Sequence, residues 1–205
     1  MSLRMARVWA MESSGVRALA PTYPIETERL VLRPIDPITD VDAIHAYRSL
    51  PEVCRYVPFE PQSRQEVAER LADPERVRSS IDAPGQALDL AIVLRETGAV
   101  VGDVLLMWRD ETNAEIGYVV HPDHVGRGIA TEAAAPMLRF AFDPVHGLGL
   151  HRVTARIDQR NPASAAVLRK LGMRQEAVLV ENEWFKGEWS TEVDFAILDR
   201  EWAAD

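Results

Sequence analysis

The residues whose types and spacing most clearly suggest a chemical function form a glycine turn between a strand-like stretch and a helix-like stretch. Residues 114–133 read AEIGYVVHPDHVGRGIATEA, with Gly126 and Gly128 in the turn. The first-turn amides of a helix lack helical acceptors and carry the positive end of its dipole, so such a turn can bind phosphate oxygens. The two glycines are equally compatible with an ordinary turn that binds no ligand. No Gly-Lys-Ser/Thr follows and a dinucleotide fingerprint would need a third glycine, so a nucleotide-binding enzyme is a weaker alternative.

A second chemical candidate lies at the start of a later helix-like segment, Asn161–Met173. Asn161 suits the N-cap, Pro162 the first turn, and Gly172 the position just past the end. The pattern therefore predicts a well-bounded helix that follows a strand. Asn161 and Ser164 would lie at its N-terminus, where they could also contact a ligand.

The elements that must position these residues alternate along the chain. Hydrophobic periodicity and turn residues predict strands near 26–33, 88–94, 99–108, 115–120, 151–157, 174–182 and 188–197. Helices are predicted near 41–49, 63–81 (interrupted near Asp73-Pro74), 129–142 (kinked by Pro136) and 162–171. Three antiparallel strands, a crossover helix and a final hairpin indicate an α/β or α+β fold with helices packed on one sheet.

Composition sets the class of protein. The chain has 205 residues, 47% of them hydrophobic and 27% charged, which is typical of one folded domain. Residues 1–24 lack periodicity and are predicted to be an extension, and 25–205 one domain. No apolar run reaches the roughly 18–20 residues of a membrane span, and the N-terminus lacks a signal-peptide core. The single cysteine, Cys54, suits a cytoplasmic protein, and the net charge of −9 disfavours nucleic acid.

The two chemical segments together resemble the GNAT superfamily of acyl-CoA N-acyltransferases, and most closely its Rim-type branch, which acetylates ribosomal-protein N-termini. Residues 27–34 (TERLVLRP) look like the family's first strand, and Glu115–Tyr118 with His121-Pro122 like its fourth. Residues 126–133 match the pyrophosphate loop, and 161–173 the helix near the thiol. The resemblance implies the GNAT fold, with a mixed, mostly antiparallel central sheet of about seven strands and helices on both faces.

The resemblance implies that acetyl-CoA is the acyl donor. Its pyrophosphate would lie on the amides of Val125 to Ala130, with Arg127 adding a cationic side chain. The thioester arm would lie between two splayed strands, where the residues around Tyr118–Val120 would pair with pantetheine amides. The implied cofactor-binding residues are Val119, Val120, Val125, Gly126, Arg127, Gly128, Ile129, Ala130, Thr131 and Asn161.

Amine acetylation also needs a base and a proton for the departing thiolate. Glu115 is the candidate base, directly or through water, although it could instead be a strand carboxylate in a salt bridge. Strand alternation places Glu115 on the face opposite Tyr118. Many family members carry a tyrosine as general acid where Leu168 stands here. In the Rim-type branch a serine of the Asn-x-x-Ser motif can replace it, which nominates Ser164, although a serine there also bonds to backbone.

Other chemical residues have less specific interpretations. His121 and His124 lack a third metal ligand, so no metal site is expected. Trp184, Phe185 and Trp189 either line an acceptor pocket or pack the final hairpin. We therefore expect a cytoplasmic N-acetyltransferase that acts on a peptide N-terminus or a small-molecule amine in a direct ternary complex. The alternative is a non-catalytic acyl-CoA-binding module. A sheet edge or the 1–24 extension could support a homodimer.

Overall fold

The computed structural model describes residues 17–202, which form one eight-stranded sheet with helices on both faces. The strands are β1 Ile25–Glu26, β2 Leu30–Pro34, β3 Ala87–Leu94, β4 Val100–Trp108, β5 Asn113–Val120, β6 Arg152–Asp158, β7 Arg174–Phe185 and β8 Glu188–Leu198. The α-helices are α1 Val41–Arg48, α2 Pro51–Cys54, α3 Arg64–Ala72, α4 Ile129–Phe142 and α5 Pro162–Lys170. This is the predicted mixed fold, with the two-residue β1 as an additional strand.

Strand connections explain the sheet order β1-β2-β3-β4-β5-β6-β8-β7. Short turns join β3, β4 and β5, so these strands pair antiparallel as the predicted meander. Helix α4 crosses over the sheet between β5 and β6, and these two strands are therefore parallel. The final hairpin places β8 beside β6 and leaves β7 at the edge.

The sheet separates two apolar clusters. On one face, which we call the α4 face, Met137 of α4 and Leu168 of α5 are fully buried against strand residues such as Leu106 and Phe195. On the other, the α1 face, Ile44 and Tyr47 of α1 pack with Val67 and Leu71 of α3 over β2, β3 and β4. Because β3 is buried on both faces, its sequence ALDLAIVL is nearly continuously apolar.

A gap opens between the two parallel strands. Residues 113–115 of β5 pair with 152–154 of β6, and the pairing ends there. Farther along, residues 116–120 pair only with β4, and residues 155–158 only with β8. Both strands continue for several residues beyond the point where they separate. We call the space between 116–120 and 155–158 the gap.

The structure refines several predicted boundaries. The helix predicted over 63–81 ends at Ala72, because Asp73, which precedes Pro74, has an extended backbone. Pro136 lies inside α4 without ending it. Leu19, in the predicted extension, is buried and exchanges backbone hydrogen bonds with Ile81. Residues 1–16 of that extension lie outside the described residues. No helix within residues 17–202 is long and apolar enough to cross a membrane.

Candidate active site

The glycine turn joins the end of β5 to the start of α4. A 3₁₀ turn, Pro122–His124, follows the strand and leads to Gly126, whose φ is 81°. Gly128 is the N-cap of α4 with φ 80°. Both angles lie in the left-handed region, which glycine adopts without the steric cost that a Cβ brings. The two glycines therefore give the chain a bend that brings the amides of the turn to the N-terminus of the helix.

The amides of 126–131 are free to bind a ligand, whereas the Val125 N–H, which the sequence also predicted as a contact, donates to the Pro122 carbonyl at 3.1 Å. The first helical bond within α4 runs from the Glu132 N–H to the Gly128 carbonyl, 3.0 Å. In the part of the chain that the structure describes, the N–H groups of 126–131 have no hydrogen-bond acceptor. The Thr131 hydroxyl oxygen is buried and also unpaired. Amides at a helix N-terminus carry the positive end of the helix dipole, so this run of donors fits an anion such as a pyrophosphate.

A carboxylate on α4 ties the turn to the first strands. Glu132 accepts hydrogen bonds from the Thr27 hydroxyl at 2.6 Å and from the Arg29 backbone and Nε at 2.7 Å each. Arg29 Nη1 also donates to the Arg127 carbonyl at 2.8 Å. Partial burial acts to raise the pKa of Glu132, but the bonds from Thr27 and Arg29 lower it on balance. The negative charge close to the amides is thus neutralised by Arg29, while the Arg127 side chain is exposed.

The backbone of β5 presents hydrogen-bonding groups to the gap. The His121 N–H donates to Val101 O at 2.8 Å and the Arg109 N–H to Asn113 O at 2.9 Å. Because hydrogen-bonded and non-bonded pairs alternate in an antiparallel ladder, odd-numbered residues of β5 bond to β4. The N–H and C=O groups of Tyr118 and Val120 therefore face the gap. Of the predicted pantetheine contacts around Tyr118–Val120, Val119 differs, because its backbone bonds to β4.

Ser164 lies in the first turn of α5, the helix that follows β6, and contacts a residue of β5. The Asn161 side chain caps α5 by accepting a hydrogen bond from the Ser164 N–H at 3.1 Å. The hydroxyl of Ser164 is 2.9 Å from the hydroxyl of Tyr118, which comes from β5. Leu168, one turn later, is completely buried in the core of the α4 face. The N-terminus of α5 therefore offers a hydroxyl to the gap, and Leu168 does not reach it.

Glu115, the predicted base, lies where β5 and β6 still pair. Its partner in the register of β6 is Thr154. Its Oε2 accepts from Arg109 Nε at 3.0 Å and Nη2 at 2.7 Å, so two nitrogens of one guanidinium bind the same carboxylate oxygen. Glu115 thus forms a salt bridge, which was the alternative to a catalytic base in the sequence analysis. The catalytic role of Glu115 stays a prediction.

A second carboxylate, Glu192, lies beside the gap on the α1 face. It is opposite Asp158 of β6, at the end where β6 has left β5. Within residues 17–202 Glu192 has neither a salt bridge nor a side-chain hydrogen bond. Burial raises its pKa, Arg156 opposes the rise, and the charges of Asp194, Glu183 and Glu115 add to it.

These carboxylates share one face of the sheet because their strands are in register. Asp194 is opposite Arg156, and Glu183 is opposite Ser190, whose hydroxyl donates to Asp158 at 2.9 Å. We call the carboxylates Glu115, Glu183, Glu192 and Asp194 the acidic face. Sequence reasoning did not single out Glu192. The signal was the alternation of Glu192 and Asp194 with the apolar Val193 and Phe195 along β8, which marks a polar strand face.

The remaining candidates are not part of this arrangement. Trp184 and Trp189 are cross-strand partners of the hairpin, T-shaped with ring centroids 5.4 Å apart, and both are mostly exposed. Cys54 is buried, and burial raises the pKa of its thiol, so a thiolate nucleophile is disfavoured. Among the described residues, no three His, Cys, Asp or Glu side chains are grouped to hold a metal ion.

Comparison with known proteins gives consistent matches. A family model described as an acetyltransferase (GNAT) domain matches residues 29–174. The chain is 32% identical over 179 residues to an uncharacterized N-acetyltransferase, p20, from Bacillus licheniformis, covering 86% of this chain and 97% of that protein. A crystal structure of a GNAT-family acetyltransferase from Bacillus anthracis matches with TM-score 0.74 and 27% identity, over 87% of this chain and 99% of that one.

A further match bears on the predicted branch. The putative ribosomal N-acetyltransferase YdaF of Bacillus subtilis is 30% identical over 110 residues, which cover 53% of this chain and 58% of that protein. The matches confirm the superfamily resemblance and the fold that it implied. A match over half of the chain does not establish the Rim-type branch, which stays a prediction.

Proposed function

This chain belongs to the GNAT acetyltransferase family, and on that premise we propose that it transfers the acetyl group of acetyl-CoA to a primary amine within the gap. The family makes the chain an acetyl-CoA-dependent acyltransferase. The identity of the amine and the residues that carry the reaction are our proposals. The observation that carries them is the gap: its β5 side leads along the chain to the free amides of 126–131, and Glu192 of the acidic face is opposite Asp158 on its β6 side.

The donor would bind from the α4 face. The amides of 126–131 would hold the pyrophosphate, with the Thr131 hydroxyl as a further donor. From there the pantetheine would follow the exposed edge of β5, where the backbone groups of Val120 and Tyr118 face the gap. One of these N–H groups would also donate to the thioester oxygen and stabilise the negative charge that develops there.

The acceptor would approach from the α1 face. An alkyl ammonium has a pKa of about 10.4 and an α-ammonium about 8, so either must lose a proton before it attacks. The acidic face attracts the cation, and a carboxylate with a raised pKa is the better base near neutral pH. Glu192 meets this description because it is unpaired among the described residues and its pKa is raised. We therefore propose Glu192 beside the sequence-based candidate Glu115, which is bound to Arg109.

Departure of the thiolate completes the reaction. The C–S bond breaks as the C–N bond forms, and the electron pair stays on sulfur. Ser164 would donate a hydrogen bond to this sulfur from the N-terminus of α5, where Asn161 holds its backbone. Because a thiol has a pKa of about 8.5, the thiolate needs only modest stabilisation to leave.

Two classes of amine fit the proposal. The Rim-type branch would take a protein N-terminus, and the relative YdaF is named a putative ribosomal N-acetyltransferase, whereas a small amine would need only the acidic face.

We further propose a cytoplasmic location, which the free, buried Cys54 favours. A homodimer would form along the edge strand β7, which exposes Val180 and Trp184. Sedimentation of wild type against Val180→Lys would test the dimer, which this charge should dissociate.

Incubation with acetyl-CoA and a panel of small amines and peptides tests the proposal. We expect free thiol and acetylated acceptor to appear in equal amounts for at least one amine. Saturable binding of CoA without any acetylated product would instead support the non-catalytic binding module.

The base is assigned by comparing Glu192→Gln with Glu115→Gln. We expect the first variant to lose about 100-fold or more in kcat/KM near neutral pH and less at high pH, where the amine loses its proton unaided. The second should lose less, because Arg109 holds its carboxylate. The opposite ranking would restore Glu115 as the base.

A further inference from the structure

One pair of hydroxyl groups joins β5, at one side of the gap, to the N-terminus of α5, which follows β6 at the other side. Tyr118 on β5 and Ser164 on α5 are 46 residues apart in sequence, and their hydroxyl oxygens are 2.9 Å apart. The Tyr118 hydroxyl also lies 3.2 Å from the Ser164 carbonyl oxygen, to which it can donate. The Ser164 N–H is bound by Asn161. Ser164 is therefore held through its backbone by the Asn161 cap and through its side chain by Tyr118 of β5.

The choice of donor in this contact determines where the serine hydrogen can point, since either hydroxyl can donate to the other. A free serine hydroxyl rotates and commonly bonds to a backbone carbonyl of its own helix. When the phenol donates to Ser164 Oγ, that oxygen has accepted a hydrogen bond and its own hydrogen is free to point elsewhere. A role for Ser164 at the departing thiolate requires this hydrogen to point toward the gap, to which β5 also presents the backbone of Tyr118.

We propose that Tyr118 is a positioning residue that directs the Ser164 hydroxyl toward the sulfur of CoA as the thioester breaks. The inference rests on the proposed function. Leu168 stands where many family members carry a tyrosine acid, and the sequence did not indicate that Tyr118 positions the serine that replaces it. In this reaction the electron pair of the C–S bond remains on sulfur. The sulfur accepts a hydrogen bond from Ser164, and the amine proton passes to a carboxylate of the acidic face.

Relative acidities separate this role from a proton relay. Burial raises the pKa of the Tyr118 phenol to about 12, and the bond with Ser164 opposes that rise only in part. A thiol has a pKa of about 8.5, so moving a proton from this phenol to the thiolate would be unfavourable by more than about three orders of magnitude. Tyr118 therefore keeps its proton and acts through the hydrogen bond that it gives to Ser164.

A purely structural role for Tyr118 makes a different prediction. Tyr118 also packs against the core of the α4 face, so its ring could simply hold β5 beside α5. In that case Tyr118→Phe would act independently of Ser164. If Tyr118 acts through Ser164, its hydroxyl has no further effect once Ser164 has been replaced by alanine. A double-mutant cycle therefore distinguishes the two roles.

The cycle uses wild type, Tyr118→Phe, Ser164→Ala and the double variant. Tyr23→Phe is the matched control, because Tyr23 is also partly buried and donates from its hydroxyl to a carbonyl, that of Ser79, at 2.6 Å. Ser164→Thr, which keeps a hydroxyl, is a second route should Tyr118→Phe fail to fold. The first readout is the pH at which CoA bound to each variant forms its thiolate, followed by ultraviolet absorbance. The second is kcat for an accepted amine.

We expect bound CoA to form its thiolate at a pH about one unit higher in Tyr118→Phe and in Ser164→Ala than in wild type. The double variant should match Ser164→Ala, Ser164→Thr should recover part of the loss, and Tyr23→Phe should match wild type. A thiolate pH unchanged by Tyr118→Phe, or additive effects in the double variant, would overturn the inference. Because this titration needs no acceptor, failure of every amine to react would refute the proposed function without deciding the role of Tyr118.

Discussion

Replacement of Gly128 by alanine tests whether the backbone shape of the turn binds the cofactor. Gly128 has φ 80° at the N-cap of α4. An added Cβ would lie 3.3 Å from Arg29 Nη2, the end of a half-exposed side chain that can move away. Space is therefore not the obstacle. The left-handed backbone itself costs a residue with a Cβ about 1–2 kcal/mol.

That cost can be expressed in two ways. If the turn keeps its shape, the free energy of unfolding falls by about 1–2 kcal/mol. If the turn relaxes to a negative φ, the amides around Gly128 rotate away and the same free energy is lost from binding. We expect the second outcome, because the amides have no protein acceptor to hold them in place. A loss of about 1–2 kcal/mol corresponds to about 5- to 30-fold weaker binding of CoA.

The matched control is Gly98→Ala in the β3–β4 turn. Gly98 has φ 71°, and a Cβ there would meet no atom within 4 Å, so the backbone strain is similar and the cofactor turn is untouched. Calorimetry should show weaker CoA binding for Gly128→Ala alone, and denaturant unfolding should show a loss of stability for Gly98→Ala. If Gly128→Ala binds CoA within about two-fold of wild type, the turn does not bind the cofactor through its backbone.

Three further predictions concern groups around the site. Arg29→Ala should weaken CoA binding about two- to five-fold, because the half-exposed Arg29 steadies the Arg127 carbonyl; Arg95→Ala, with no bond to the turn, should leave calorimetric affinity unchanged. Burial and then Asp103 raise the pKa of Asp89 to about 6, so the stability it contributes is present below about pH 4 and lost as pH rises through 6. Denaturant unfolding should show this decline, of about 2–3 kcal/mol, in wild type and not in Asp89→Asn; parallel profiles would contradict it. Lys186 donates to the Cys54 and Phe59 carbonyls at 2.6 Å each and so ties the hairpin that carries Glu183 to this segment. Lys186→Met should therefore raise KM for the acceptor and leave CoA affinity unchanged; equal weakening of acceptor and CoA binding would show a general effect on folding.

The parts of the fold that the sequence predicts are those governed by local rules. The two glycines require a left-handed backbone, and Asn161, Pro162 and Gly172 mark a helix by capping chemistry. The structure shows these features at the expected positions. Alternation along β5 also placed Glu115 and Tyr118 on opposite faces, as the register of the sheet requires.

The gap could not be predicted from local patterns. Residues 116–120 and 155–158 have strand-like sequences that are compatible with continued pairing. The separation is visible only once the register of β4, β5, β6 and β8 is known. The family resemblance, rather than any pattern in the residues, supplied the expectation of a splay between neighbouring strands.

The same limit applies to the side chains around the gap. The contact between Tyr118 and Ser164 joins two elements that α4 and β6 separate in the chain. Glu192 became a candidate because burial, and then carboxylates that three strands bring close to it, raise its pKa. Arg109 lies only six residues from Glu115, but their ion pair depends on the turn between β4 and β5.

A crystal structure of the complex with CoA tests the central claim most directly. The account predicts that the pyrophosphate accepts hydrogen bonds from the amides of 126–131 and that the pantetheine lies between 116–120 and 155–158. The sulfur should lie within hydrogen-bonding distance of Ser164 Oγ, with the acidic face open on the other side of the sheet. A pyrophosphate bound elsewhere, or a pantetheine that lies outside the gap, would contradict the account.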